Sequence, residues 1–219
     1  MGQHSDRARE TLLNSAEELF ARYGIDAVSN RRITEHAGTA NHSAIAYHFG
    51  GRDELLRALL DRHLEEMNRR RTALVATLSD DAGVRDLLAC LLLPWIEHLA
   101  SLPVPSWRAR FVFQVRTVPS VAEALAGLTT ANPVVEDLIS RLQAALSDLP
   151  PRVVRGRFEI LGPMTLGICA GHEARVHEGA PPAWTGVGYF LIDACAGMLS
   201  APVTHPDDYL TVPSTPFLL

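Results

Sequence analysis

Glycines close the helical patterns at the start of this chain, and their spacing limits the fold more than any other feature. Across residues 6–23 the apolar side chains Leu12, Leu13, Ala16, Leu19, Phe20 and Tyr23 recur at helical intervals, with Arg and Glu on the other face. Gly24 follows where a left-handed helix stop is required, and Ser29 stands where the next helix expects its N-cap. A short second helix is predicted over 30–36, with Ile33 and Ala37 as its inward face and Gly38 as its stop. A third begins near Asn41 or His42 and turns Ile45 and Phe49 inward. Two short helices joined by a Gly-containing turn make residues 29–49 a helix-turn-helix candidate.

After Gly50-Gly51, one helical face continues through Leu55, Leu56, Leu59, Leu60, Leu64 and Met67, which predicts a long fourth helix to about Leu78, able to link two domains. Further helices are expected over 84–101, 105–117, 119–130, 133–149, 152–178 and 184–200, with prolines at or near most starts, where a missing N–H costs nothing. Gly162-Pro163 predicts a kink or break in the fifth of these. No β-hairpin signal and no internal repeat is visible. The expectation is an all-α chain of about nine to ten helices: a three-helix unit over 1–51, a helical domain over 52–200, and an irregular tail over 201–219 containing Pro202, Pro206, Pro213 and Pro216.

At 219 residues, 47% hydrophobic and 21% charged, the chain has the composition of a soluble globular protein. The longest apolar stretch, 87–96, contains Pro94 and falls short of the roughly 20 residues a bilayer needs, and no apolar signal core opens the sequence. A cytoplasmic protein without a membrane partner is expected. Cys90, Cys169 and Cys195 lie far apart among apolar neighbours, the pattern of buried hydrophobes rather than of a disulfide framework or zinc site, so no metal or cofactor is expected. The net charge of -5 argues against nucleic acid at first sight. However, residues 1–71 hold eleven Arg against eleven acids, so the deficit lies in the rest of the chain. All twenty basic residues are Arg and none is Lys, which fits the codon bias of a GC-rich genome; selection for phosphate recognition is the alternative.

The run Leu12-Leu13-Asn14-Ser15-Ala16-Glu17-Glu18-Leu19-Phe20-Ala21-Arg22-Tyr23-Gly24, then Ile33-Thr34-Glu35-His36-Ala37-Gly38, then Tyr47-His48-Phe49-Gly50 and Asp53-Glu54-Leu55-Leu56, resembles the N-terminal domain of TetR-family transcriptional regulators. The resemblance covers about residues 9–60, and beyond Leu78 only the succession of helices is similar. The segment between Gly38 and Tyr47 is one residue longer than the usual family turn and resembles a variant with an Asn-x-Ser-Ala segment.

The resemblance implies a ligand-responsive repressor, and the residues themselves suggest how it meets double-stranded DNA. A recognition helix turns its first residues to base edges and its ends to phosphates. Asn41, His42 and Ser43 supply polar groups there. Asn41 either pairs with adenine or caps the helix with its side-chain oxygen. Ala44 and Ala46 either permit close approach to a thymine methyl or serve as plain helix formers. Tyr47 and His48 resemble the family's phosphate-contacting positions. Asn30, Arg31 and Arg32 open the second helix and Arg52 the fourth, where positive charge opposes the helix dipole and a phosphate partner makes sense of it. Arg69, Arg70 and Arg71 read as a solvated face. One short reading helix per chain calls for a homodimer on a palindromic operator, its recognition helices about 34 to 36 Å apart.

The resemblance also implies a small-molecule effector and a dimer interface built from the last two helices. Phe190, Leu191, Ala194, Cys195 and Met198 form an apolar face suited to such an interface, with intramolecular core as the alternative. Trp107, Phe111 and Gln114 share a face, and Trp95 and His98 are three apart, which makes an aromatic effector cavity conceivable, with Arg110 and His172 as additions. Two other classes rank lower. A metal-dependent enzyme using His172 and His177 is disfavoured because residues five apart point about 140° apart on a helix. A protein-interaction module docking through Phe217-Leu218-Leu219 leaves Tyr47 and the flanking arginines without a purpose.

Overall fold

The computed structural model describes residues 2–39, 41, 43–119, 121 and 132–205. Its elements are α1 (Gly2–Tyr23), α2 (Asn30–His36), α3 (Ala44–Phe49), α4 (Arg52–Asp61), α5 (Leu64–Val75), α6 (Val84–Ser101), α7 (Arg108–Val115), α8 (Pro133–Ala145), α9 (Pro151–His177) and α10 (Trp184–Ser200). The expected all-α architecture, with a helix-turn-helix unit leading a larger helical domain, is what forms. No helix among the described residues is long and apolar enough to cross a membrane. Cys90, Cys169 and Cys195 are buried free thiols, and burial raises the pKa of each, to about 12 for Cys169 and about 11 for Cys195.

Local chemistry sets the first three helices. Leu12, Leu13, Ala16, Leu19 and Phe20 are all buried, so the inward stripe of α1 is the one its spacing predicts. Gly24 takes φ +85° and Gly38 φ +68°, left-handed conformations that favour glycine. The Ser29 hydroxyl accepts the Arg32 N–H at 3.2 Å and caps α2.

Tertiary contacts decide where other helices end. The single helix expected from Gly51 to Leu78 is two, broken at Arg62-His63. The Arg108 guanidinium of α7 donates to the carbonyls of Leu59 at 2.6 Å and Leu60 at 3.3 Å. Unbroken α-helix would deliver the N–H groups of His63 and Leu64 to those same oxygens. The start of α7 is likewise set from outside. The Glu173 carboxylate of α9 accepts the N–H groups of Ala109 and Arg110, each at 3.0 Å, so the helix begins at Arg108 rather than at Pro105. Conversely, α9 runs unbroken through Gly162 and Pro163. Pro163 removes one hydrogen bond, but Val153 and Leu161 before it and Leu166 and Cys169 after it are buried, and this packing keeps both halves in one helix. The helix expected over 119–130 lies outside the described residues except for Pro119 and Val121, as does most of the tail expected over 201–219.

One apolar core joins both parts of the chain. Phe20 of α1 stacks on Phe111 of α7 with ring centroids 6.1 Å apart. In the larger part α10 packs on α6, most closely at Gly188, where an added Cβ would come within 3.2 Å of Ile96 and Leu93. Arg71 is 4% exposed, which corrects the expectation of a solvated face at 69–71. Arg69 pairs with Glu66 in solvent as expected, while Arg70, bridging Glu66 at 2.7 Å, is half-buried.

Candidate nucleic-acid interface

In the helix-turn-helix, burial sorts the candidate residues by face. On α2, Ile33 and Thr34 are buried while Arg31, Arg32, Glu35 and His36 stand in solvent. On α3, Ala44 and Ile45 are buried, Ala46 and Tyr47 are exposed, and His48 is half-buried. Tyr47 is 77% exposed, with its ring edge-on to His48 at 4.9 Å. At 5% exposure Ala44 is part of the buried core, which leaves its methyl little surface to offer a base edge.

The third helix starts at Ala44, two to three residues later than the expected start at Asn41 or His42. A local turn replaces the missing helical residues. The Asn41 side-chain oxygen accepts the Ser43 N–H at 2.9 Å, and the Asn41 N–H donates to the Thr39 hydroxyl at 3.2 Å. The side-chain oxygen of Asn41 is therefore already engaged, and bidentate pairing with adenine would require that bond to break. His42 lies outside the described residues.

The four flanking residues divide in the same way. Arg31 is ion-paired with Glu35 at 2.7 Å, which raises its pKa through the hydrogen bond and charge of that carboxylate, yet its side chain is 74% exposed. Arg32 stacks over the Tyr23 ring at 3.9 Å, a contact that holds the guanidinium on the outer face while its donors stay open. Arg52 is different. It donates to the side-chain oxygen of Asn30 at 3.2 Å and to the Ile25 carbonyl, lies over the Phe20 ring at 5.1 Å, and has its pKa lowered by burial. Arg52 thus ties the start of α4 to the start of α2 through Asn30 and to the loop before it through Ile25. An open groove lined by Asp26, Ser29, Asn30, Arg31 and Arg52 runs along this corner.

The residues expected to form an effector site fall into separate groups. Trp95 and His98 of α6 are buried, and the His98 ring lies tilted against His63 with centroids 4.4 Å apart. His172 of α9 is buried against Trp184 at 4.6 Å. Trp107 meets His177 edge-on at 4.3 Å and carries Arg110 over its ring at 4.2 Å. Phe111 stacks on Phe20 and Gln114 approaches Gly24, so both serve the contact with α1 instead. His172 and His177 also part company, His177 bonding the Ser106 carbonyl at 2.6 Å. Among the described residues no group of three or more His, Cys, Asp or Glu is placed to hold a metal ion.

Of the proposed interface residues, Leu191 and Cys195 point into the chain's own core at 0% exposure. Ala194 and Met198 are half-buried, and Phe190 is 59% exposed beside Tyr189 at 61%. The segment Phe217-Leu218-Leu219 lies outside the described residues.

Buried residues that the sequence reading passed over connect the two parts. Arg108 pairs with Glu17 of α1 at 3.2 Å, and Glu173 accepts hydrogen bonds from Ser106, Ala109 and Arg110. A signal was available, since Leu13, Glu17 and Phe20 share one helical stripe, as do Arg108, Phe111 and Val115.

Comparison with known proteins agrees with this geometry. Residues 12–59 match the family model of the bacterial regulatory proteins of the tetR family. No curated protein matches the chain significantly. Among solved structures, a Rhodococcus sp. protein assigned to the TetR-family transcriptional regulators superposes with a TM-score of 0.52 at 20% identity, covering 89% of this chain and 100% of that one. A TetR-family transcriptional regulator from Pectobacterium atrosepticum gives 0.42 at 19% identity, with 94% and 99% covered. RolR, solved in complex with resorcinol, gives 0.40 at 16% identity, with 94% and 100% covered. Residues 12–59 are therefore a domain of the tetR family of bacterial regulatory proteins, and the chain as a whole is similar in fold to the Rhodococcus sp. protein.

Proposed function

We propose that the chain is a DNA-binding transcriptional regulator of that family, a homodimeric repressor that grips a palindromic operator and releases it when a small molecule enters the helical domain. The observation that carries the reading is the division of α2 and α3 into a buried face, Ile33, Ala44 and Ile45, and a solvent face bearing Arg31, Arg32, Ser43, Ala46 and Tyr47. In this reading Arg31, Arg32 and Tyr47 contact phosphates, with His48 behind them and Asn30 and Arg52 shaping the corner. Ser43 and Ala46 approach base edges, joined by the amide nitrogen of Asn41. A reading helix of six residues sees few base pairs, so a second copy completes the site. The exposed Tyr189 and Phe190 of α10 and Ile160 of α9 support that partner face.

For the effector we favour the surroundings of Trp95 and His98 on α6, with His172 on α9 as a separate second candidate. Both histidines are buried, and the Nε2 of each has no hydrogen-bond partner within the protein, as expected of groups that await a ligand. In this reading the protein acts by binding rather than by catalysis, in the cytoplasm alongside the DNA it binds.

Selection of bound sites from a random duplex pool tests the reading. Paired half-sites about one helical turn apart are expected, with affinity falling steeply as salt rises. Arg32→Ala is expected to weaken binding to all sequences alike and to reduce the salt slope by about 1. A folded protein with no affinity for DNA at low salt would defeat it.

A further inference from the structure

We infer that Arg108 is the positioning residue of the DNA-binding domain: from α7 it holds the broken end of α4 and the flank of α1, and so sets the angle at which the helix-turn-helix is presented. The inference rests on the operator-binding reading above and adds what regulates its geometry.

The guanidinium is 2% exposed and sits where three helices meet. Nη1 donates to the Leu59 carbonyl at 2.6 Å and to Glu17 at 3.2 Å, and Nη2 donates to the Leu60 carbonyl at 3.3 Å. Leu59 and Leu60 are the last buried residues of α4 before the chain breaks. A helix that ran on would hold its own direction through its own hydrogen bonds; here the direction is delegated to a side chain of another element. Arg62, at the break itself, adds a second clasp on α1 through Glu10 at 2.6 Å and Glu17 at 3.6 Å.

The foundation of Arg108 is equally specified. Glu173, 1% exposed, accepts four hydrogen bonds at the beginning of α7: from the Ser106 hydroxyl at 3.1 Å, from the N–H groups of Ala109 and Arg110 at 3.0 Å each, and from Arg110 Nε at 3.1 Å. Movement of α9 against α7 is therefore passed to Arg108, whose planar fork matches two carbonyls and a carboxylate in one arrangement only. A buried guanidinium cannot leave one carbonyl unpaired cheaply, so the junction favours discrete positions over gradual yielding.

The test uses the full chain with spin labels at Ala27→Cys and Gln143→Cys, both exposed positions, diluted with unlabelled protein so that only distances within one chain are read. The native cysteines are buried and leave these two as the reactive thiols. Wild-type protein is expected to give one narrow distance distribution. Arg108→Met, which keeps the stem and removes the donors, is expected to broaden or split it, and Glu173→Gln to do so to a lesser degree. On operator fragments whose half-site spacing is changed by one base pair, wild-type discrimination of about tenfold is expected to fall to about threefold or less in Arg108→Met. A folded Arg108→Met protein with an unchanged distribution and unchanged spacing preference overturns the inference, even if its melting temperature is lower. Should Arg108→Met not fold, Arg108→Lys and Glu173→Gln carry the same two measurements, and wild-type behaviour in both overturns it. Loss of all DNA binding in wild type would defeat the operator reading, while the distance distribution would still decide the role of Arg108.

Discussion

Four arginines of this lysine-free chain turn inward to backbone carbonyls: Arg52 to Ile25, Arg71 to Leu91 at 3.5 Å, Arg108 to Leu59 and Leu60, and Arg157 to Leu199 at 2.7 Å and Pro202 at 3.4 Å. A guanidinium offers five donors in a fixed fork and can serve two carbonyls where an ammonium is a single point charge. Whatever genome composition contributes, arginine has a structural use at these positions. The same buried charges act on their neighbours. Burial, then the nearby Arg108 and Arg70, lower the His98 pKa from 6.5 to about 4; burial, Arg108, His98 and Arg62 lower that of His63 to about 2. Both rings are thus neutral in the folded protein, while the unfolded chain gains protons below pH 6.5. Stability is therefore fully present above pH 6.5 and is lost as pH falls towards 4, by about 1.4 kcal/mol per pH unit for His98 once well below 6.5. Urea unfolding at pH 7, 6 and 5 checks this; His98→Phe is expected to flatten the dependence, and an equal slope in the variant would refute the assignment.

At the scale of elements, helix starts and stops governed by neighbours in sequence were legible, and those governed by neighbours in space were not. Ser29 and Gly24 mark the entry to α2 and the exit from α1 through their own backbone chemistry. Gly24→Ala is expected to cost about 1 kcal/mol and lower the melting temperature by about 2 to 4 °C. A Cβ there would meet only Gln114 Oε1 at 3.8 Å, so the penalty comes from the left-handed backbone rather than from crowding. Thermal melts followed by circular dichroism measure it, and an unchanged midpoint would contradict the argument. By contrast, Asp61-Arg62-His63-Leu64 contains neither Gly nor Pro, and nothing local announces the break that Arg108 accompanies. Gly162-Pro163 errs in the opposite direction: a strong local breaker is overridden by packing on both sides of it.

For the molecule as a whole, the proposed homodimer makes the outer surface of α9 and α10 the partner face that brings two recognition helices together. Tyr189 and Phe190 are exposed large apolar groups, and Gly186 and Gly197 on the same helix leave open space above them, an arrangement suited to close approach by another helix. Phe190→Glu is expected to leave the helical signal unchanged, convert the dimer to a monomer by light scattering, and weaken operator binding more than 100-fold through loss of the second half-site. A dimeric Phe190→Glu protein with full affinity would place the interface elsewhere.

What the sequence determined by itself is the local layer: the inward stripe of α1, the glycine stops, the Ser29 cap, and the ordered residues that identify the tetR-family domain, because each depends on contacts within a few residues along the chain. Only the tertiary structure decided that Ala44 faces inward, that Leu191 and Cys195 belong to the chain's own core, and that Glu17, Arg108 and Glu173 meet. These outcomes turn on which helix lies opposite. Hydrophobic periodicity shows that a face is buried but not against what, and a charged residue on that face reveals its purpose only when the partner helix brings the opposite charge or a free carbonyl to it.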